Sequence, residues 1–414
     1  MWAQVDLVRS SINGKNDAAA QTGVDNLFAS FSNNEHLCDA IHSVAYCYRQ
    51  SEKTAKADEL DQYVLDHWPT TESAMWAQVD IVRSNIDGKD YTTAQTGIDN
   101  LLARFSSNEN MANVLHGMAY KYRQSQETTK ADELDQYVLS HWPSTEIALW
   151  AQVDLVKSSV DGKNYTAAQA GVDNLLADFA NEEQLVYAVF QIADEYCELN
   201  QNEKAEQLYQ YVIDNQSNTE HAIWAKASTA MLNILLGNEA TVKAALDILV
   251  ADFNDHPDLP QAVFTIGEEY YYQAFRYKNE GRDAEAKEYF RKAIEVWEKL
   301  ITELPYSVKY TPQAYYYSAL CYSQEFGEHD KAIEYYQKLL DNWPDFDYRR
   351  TSYAWLGIAC CYEKLEKSGR IPTSVAAGQI CRACNKLLTD YPDTNPSMIQ
   401  TAQKLLKKYQ VSEQ

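Results

Sequence analysis

The chain has 414 residues, of which 36 are Lys or Arg and 60 are Asp or Glu, for a formal charge of −24, and 45% of it is apolar. That charge argues against nucleic acid or an anionic bilayer as partner, since both need a basic surface that releases counterions. No apolar run reaches the roughly 18 residues of a membrane span, and the N-terminus lacks the charged and apolar regions of a signal peptide.

In chain order, the stretch WAQVDLVRSSINGKN from Trp2 returns as WAQVDIVRSNIDGKD from Trp76 and as WAQVDLVKSSVDGKN from Trp150. A weaker copy, WAKASTAMLNILLGN, starts at Trp224, so the four Trp are each 74 residues apart. A fixed period of this kind marks a solenoid, whose units bury apolar faces only against their neighbours. Each unit reads as two helical hairpins. The first helix puts Trp2, Val5 and Val8 on one face, with Ala3 and Leu7 alongside. It stops at Asn13-Gly14, Asp87-Gly88 and Asp161-Gly162, where Gly is expected to take the left-handed conformation. Asn16, Asp90, Asn164 and Asn238 are the expected N-caps of the second helix, which carries Val24, Leu27, Phe28 and Phe31. The third helix holds Ala45 and Tyr48, and the fourth reads KADELDQYVLDHWP from Lys56 to Pro69. Thr71-Glu72, Thr145-Glu146 and Thr219-Glu220 then supply a cap and an acidic first turn.

Past residue 222 the plan continues without the period. Helix-turn-helix patterns recur over 258–305, 311–344 and 348–392, the first with an insertion from Phe275 to Arg282 that lengthens both helices. Asn395 and Pro396 open a last helix whose apolar stripe is Ile399, Ala402, Leu405, Leu406 and Tyr409, with Lys404, Lys407 and Lys408 facing water. The expected organisation is 1–222 as three double-hairpin repeats, 223–305 as a divergent fourth, 306–394 as two further hairpins, and 395–414 as capping helix and tail.

The stretch AYYYSALCYSQEFGEHDKAIEYYQKLLDNWPD, Ala314 to Asp345, resembles a tetratricopeptide repeat. Tyr315, Ala319, Tyr322, Ala332, Tyr336 and Pro344 stand where that motif places them, with one extra residue in the turn. Ala293, Trp297 and Pro305 match its second half, as do Ala57 with Pro69 and Ala131 with Pro143, while the third unit has Ser217 in place of the proline. The resemblance implies an all-α, right-handed α-solenoid of about ten hairpins with a C-terminal capping helix. It also implies a concave groove lined by the first helix of each hairpin. His42, Tyr46 and Arg49 would face it, with His116, Tyr120 and Arg123 in the next unit, and Tyr271 and Tyr272 would extend the aromatic lining. Tyr and Arg are hot-spot residue types. The family's clamp for a C-terminal carboxylate uses Lys and Asn, and His42 with Tyr46 do not reproduce it.

No catalytic constellation stands out. There is no G-x-S-x-G, no phosphate-binding glycine loop and no H-E-x-x-H, and His36 with His42 lacks metal-pair spacing. His67 and His141 read as surface or capping residues at hairpin ends. The acidic pairs Glu182-Glu183 and Glu268-Glu269 read as solvated helix faces. Cys381 and Cys384 could form a dithiol or, with Cys360-Cys361, a metal site, but in the repeat frame Cys384 takes the inward position of Tyr336 and reads as a packed thiol. The sequons at Asn164 and Asn215 are short enough to arise by chance. No cofactor or metal is expected.

The reading is therefore a non-catalytic scaffold that binds a peptide or protein along its concave face. An alternative is a protein that self-assembles end to end into a filament, because Trp2 and Val5 start the chain at a repeat-core position with no preceding cap. A redox or metal role for the cysteines is the third class. Met1 aligns with Met75, and the sequence assigns no compartment; a bacterial cytoplasm or cell envelope is only what the resemblance suggests.

Overall fold

The computed structural model of the chain describes residues 1–215 and 219–410. Ser217, the two sequon positions after Asn215, and tail residues 411–414 lie outside the described residues. Among the described residues the regular elements are 21 α-helices and one π-helical turn. They form two compact units, Met1–Ala188 and Val189–Gln414.

The first unit runs α1 (Trp2–Asn13), α2 (Asp17–Phe31), α3 (Leu37–Gln50), α4 (Thr54–His67), α5 (Glu72–Asp87), α6 (Tyr91–Phe105), α7 (Met111–Gln124), α8 (Thr128–His141), α9 (Glu146–Asp161) and α10 (Tyr165–Asp178). The division falls inside α11 (Leu185–Glu198). The second unit continues through α12 (Asn202–Asn215), α13 (Glu220–Leu236), α14 (Glu239–Asp252), α15 (Leu259–Asn279), α16 (Asp283–Glu303) and α17 (Tyr310–Cys321). After the π turn 322–326 come α18 (His329–Asn342), α19 (Tyr348–Lys367), α20 (Thr373–Asp390) and α21 (Pro396–Gln410). Within each unit consecutive helices pair as hairpins, and first helices also pack on first helices, α3 on α5 and α5 on α7, or α15 on α17. Each unit is thus an all-α solenoid, as the repeat implies.

Local signals explain most boundaries. Asn16, Asp90 and Asn164 accept the N–H of the residue three further on, at 3.1–3.2 Å. Thr71, Thr145 and Thr219 cap α5, α9 and α13 in the same way. Asn238 does not cap; its amide donates to Asn233 instead, at 3.0 Å. The insertion gives α15 and α16 21 residues each. The extra residue in the following turn is absorbed by the π turn, which ends at left-handed Gly327. Met398 replaces the half-buried Ile399 in the buried stripe of α21, and Lys408 is exposed as expected while its ammonium also pairs with Glu363 at 2.8 Å.

The first helix departs from its expected face. Val5, Val8 and Ile12 are its buried residues, whereas Trp2 is 50% and Leu7 63% exposed. The turn after it also differs from expectation. Gly14 has φ −75°, and the left-handed residue is Lys15, at +55°. Asn16 N–H bonds to Ser11 O and Lys15 N–H to Ile12 O, the two bonds of a Schellman motif, which place Lys15 one past the cap. Gly14 answers a different constraint, because a Cβ there would lie 3.2 Å from Ser10 O.

Among the described residues, the ten hairpin turns carry ten left-handed residues. Lys15, Glu52, Lys89, Gln126, Lys163 and Asn200 hold the first six and Gly237, Gly281, Gly327 and Gly369 the last four. A side chain in this region costs about 1–2 kcal/mol, partly offset by the extra unfolded-state freedom of Gly. Replacing Lys15, Lys89 and Lys163 together by Gly, as Gly237 already stands in the fourth copy, should add about 2 kcal/mol in total if the three turns act independently. A urea melt of the triple variant followed by circular dichroism reads this directly; an unchanged or lower midpoint would refute it.

Candidate partner-binding surface

One position of each hairpin's second helix points into the seam with the next hairpin. It is Asp61 in α4 and Asp135 in α8, and both are fully buried. The same repeat position holds Tyr209, Trp297, Tyr336 and Cys384 in the second unit, all buried. A bulky or polar group there must be matched by the first helices around it.

In the first unit the match is ionic. Asp61 Oδ1 lies 2.8 Å from His42 Nδ1, and Arg49 Nη1 donates to Asp61 Oδ2 at 2.9 Å and to Asp80 at 3.2 Å. Arg49 Nη2 donates to Asp58 at 2.6 Å, and the Ser84 hydroxyl closes the network on Asp58 at 2.8 Å. One repeat later His116, Arg123, Asp132, Asp135, Asp154 and Ser158 repeat the arrangement. Burial raises the Asp61 carboxyl above its ordinary value, an effect that His42 and Arg49 only partly offset. Burial also raises Asp132 and Asp154. It works against the Arg49 charge, but the Asp61 and Asp80 carboxylates outweigh it and hold the guanidinium above its usual range. By distance alone His42, Asp61 and Asp80, and likewise His116, Asp135 and Asp154, could hold a metal ion. The guanidinium of Arg49 or Arg123 already bridges those carboxylates as the cation of the site.

Of the six groove residues expected in this unit, His42 and His116 are therefore committed to the acid of their own hairpin, and Arg49 and Arg123 to acids of their own and the next hairpin. Tyr46 and Tyr120 remain more than half exposed. Tyr46 stands on a groove of about 570 Å³ between first helices, with Asp80, Arg83 and Asp87 of α5 and Lys121 of α7 on its walls. His67 and His141 stack on Tyr63 and Tyr137 at 3.9 and 3.8 Å. Their Nδ1 atoms lie about 3 Å from the carbonyls of the same tyrosines in the last turn.

The second unit replaces four of these groups. Phe190, Cys197, Tyr209 and Ser228 stand 74 residues beyond His116, Arg123, Asp135 and Asp154. Phe190 packs on Tyr209 with ring centroids 5.8 Å apart, and Tyr209 lies against Cys197 and Ser228 while donating to Asp194 at 2.6 Å. In α15 and α16 the seam becomes Phe264, Tyr271 and Trp297, with rings 5.7–5.9 Å apart. Trp297 Nε1–H donates to Phe264 O at 3.3 Å.

Outward from this seam the first helices of hairpins eight, nine and ten carry a run of tyrosines. Tyr272 meets Tyr271 at 6.2 Å, Tyr271 meets Tyr317 at 5.6 Å, Tyr317 meets Tyr316 at 5.3 Å and Tyr316 meets Tyr353 at 6.0 Å. Arg350 lies over Tyr316 and Tyr317 at about 6 Å and is anchored by Asp347, which caps α19. Tyr271 is largely packing, whereas Tyr272 is 60% exposed. Glu268, one turn before Tyr272, is half-buried rather than solvated, and burial raises its carboxyl with only Arg350 acting against that. Its neighbour Glu269 accepts from Gln273 at 2.7 Å. Tyr316, Tyr317, Tyr353 and Arg350 escaped the sequence reading. Tyr315-Tyr316-Tyr317 alone gives no way to tell which ring packs and which faces out.

The cysteines follow the packed reading. Burial pushes the Cys361 and Cys384 thiols up to about 12, so both are neutral near pH 7, the reverse of a reactive thiolate.

Two stretches match sequence profiles described as tetratricopeptide repeat, residues 268–296 and 313–345. No curated protein sequence gives a significant match. Among solved structures the chain is similar to a tetratricopeptide repeat protein from Parabacteroides merdae, at 15% identity over 72% of this chain and 97% of that one, with a TM-score of 0.31. It is similar to PilF of Pseudomonas aeruginosa at 15% identity over 54% of this chain and 95% of that one, TM-score 0.32. It is also similar to Naa15/Naa10 bound to HypK-THB at 13% identity over 97% of this chain and 65% of that one, TM-score 0.37. With scores this low, the assignment rests on the hairpins and the two repeat matches and not on superposition. No helix among the described residues is long and apolar enough to cross a membrane.

Proposed function

Because this chain is a tetratricopeptide-repeat protein, we propose that it is a non-catalytic interaction scaffold that holds a peptide or protein along the first helices of its hairpins. The observation that carries the reading is the placement of exposed tyrosines. Tyr46, Tyr120 and Tyr272 are more than half exposed on first helices, in a fold that buries Tyr122, Tyr196, Tyr209, Tyr270 and Tyr336 almost completely. Large rings left in water on one class of helix, beside fixed ion networks, suit partner contact, where Tyr brings area and a hydroxyl at low entropic cost.

A phage-displayed peptide library panned on the wild type and re-screened on a Tyr46→Ser/Tyr120→Ser/Tyr272→Ser variant tests it. These side chains are exposed, so the variant should keep its melting profile. Selected peptides should lose at least tenfold in affinity for the variant, equivalent to about 1.4 kcal/mol. Peptides that bind both proteins equally would sink the reading.

A further inference from the structure

The tyrosine run of the second unit has one carboxylate without a hydrogen bond or ion pair. Glu268 makes no hydrogen bond or ion pair with any described residue, although it is half-buried. It stands at the helical position that Tyr46 and Tyr120 occupy in the first unit, 222 and 148 residues earlier. Its charge acts first on Tyr272, four residues on and therefore on the same face of α15. Tyr317 also acts on Tyr272 from the neighbouring hairpin. Glu268 and the Tyr272 ring thus share one face of α15, and Tyr271 links Tyr272 to Tyr317 of the next hairpin at 6.2 and 5.6 Å.

Resting on the scaffold reading above, we propose that this patch binds a lysine or arginine side chain of a basic peptide. The cation sits against Glu268 and the aliphatic stem lies across Tyr272 and Tyr317. Three features of the protein select that occupant. The first is the carboxylate itself, since an anionic side chain would be repelled there and a neutral one would leave it desolvated and unpaired. The second is Arg350, a guanidinium already lying over Tyr316 and Tyr317, which shows that these rings are presented for cation–π contact. Arg350 pairs with Asp347 at 3.4 Å and acts on Glu268 only through its charge, with no ion pair between them, so the acid keeps room for a second cation. The third is the chain's excess of 24 negative charges, which steers a basic partner toward the protein and a nucleic acid away.

Burial raises the Glu268 carboxyl, so the native protein holds this proton to a higher pH than the unfolded chain does. As pH climbs from the unfolded value through the raised one, the unpaired carboxylate makes a growing unfavourable contribution to stability, complete above the raised value. Glu268→Gln should accordingly raise the melting temperature at neutral pH while weakening peptide binding. A purely structural Glu268 would give the opposite stability change.

The binding probe is a fluorescein-labelled peptide of alternating Arg and Ala, with the citrulline version as its neutral isostere. Anisotropy is read at about 0.15 M salt, where charges beyond about 8 Å are screened. Glu268→Gln should lose about tenfold in affinity for the arginine peptide and nothing for the citrulline one. Glu35→Gln, which removes one exposed carboxylate far along the sequence, should change neither. Equal losses in the two variants would mean attraction to net charge alone and would overturn the proposal, as would failure of the arginine peptide to bind the wild type. If Tyr272→Ser releases peptides that Glu268→Gln retains, the scaffold reading survives and the cation site does not.

Discussion

Asp61→Ala should destabilise the first unit by about 3 kcal/mol, the lower end of what stranding a buried charge costs. Alanine removes the acceptor of both His42 and Arg49, whose contacts with Asp61 are 2.8 and 2.9 Å long. Arg49 keeps Asp58 and Asp80, and its side chain retains some water access, so the loss falls short of complete isolation. The protein carries its own control one unit further on. Four of its members change together there, to Phe190, Cys197, Tyr209 and Ser228, while Asp132 becomes Glu206 and Ser158 becomes Leu232. A quadruple variant, His42→Phe, Arg49→Cys, Asp61→Tyr and Asp80→Ser, should therefore recover most of the stability that Asp61→Ala loses, because it leaves neither a buried charge nor an empty seam. Urea melts of the single and quadruple variants decide it. A quadruple variant weaker than the single would show that the ions contribute net stability beyond their mutual satisfaction. The pH sign follows from the raised Asp61 carboxyl. The ionised group's cost grows as pH rises through the raised value, so mild acid relieves the Asp61 seam and should not be what unfolds this unit.

Gly267→Ala should cost the second unit about 2 kcal/mol, although alanine is the better helix former by about 1 kcal/mol. A Cβ on Gly267 would overlap the Trp297 indole nitrogen and come within 2.6 Å of its Cδ1. The ring has nowhere to go. It is fully buried, held by its hydrogen bond to Phe264 O, and flanked by Phe264, Tyr271 and Tyr317 at 5.6–5.9 Å. Gly378→Ala, in the exposed part of α20 with nothing within 4 Å of the new methyl, should instead gain about 1 kcal/mol. Thermal or urea melts of the two variants should move in opposite directions. Parallel shifts would mean that helix propensity, and not the Trp297 seam, governs both sites.

Much of this architecture is legible in the primary structure because its determinants are local. A Thr or Asn side chain caps the backbone three residues away, and an apolar stripe at helical spacing needs only its own helix to be recognised, so the hairpins and most caps could be located. Two local readings failed for local reasons. Gly14 suggested the left-handed position, but the hydrogen bonds of the turn put Lys15 there. Asn238 matched the other caps in register, but its amide is turned to donate to Asn233 and the Thr241 N–H bonds the Asn238 backbone carbonyl instead of the side chain. The π turn at 322–326 could be anticipated only as one residue too many.

The sequence by itself determined the repeat, the hairpin count, the helix boundaries and the inward position shared by Tyr336 and Cys384, all of which depend on spacing along the chain. Only the tertiary structure decided which polar and aromatic side chains were already occupied. His42 and Arg49 look available until Asp61 and Asp80 arrive from the next two helices, and Glu268 looks solvated until packing half-buries it within the field of Arg350 from a later hairpin. The reason is physical: pairing and desolvation depend on atoms brought within about 4 Å from distant parts of the chain, and helical periodicity fixes which face a residue occupies but not what that face meets.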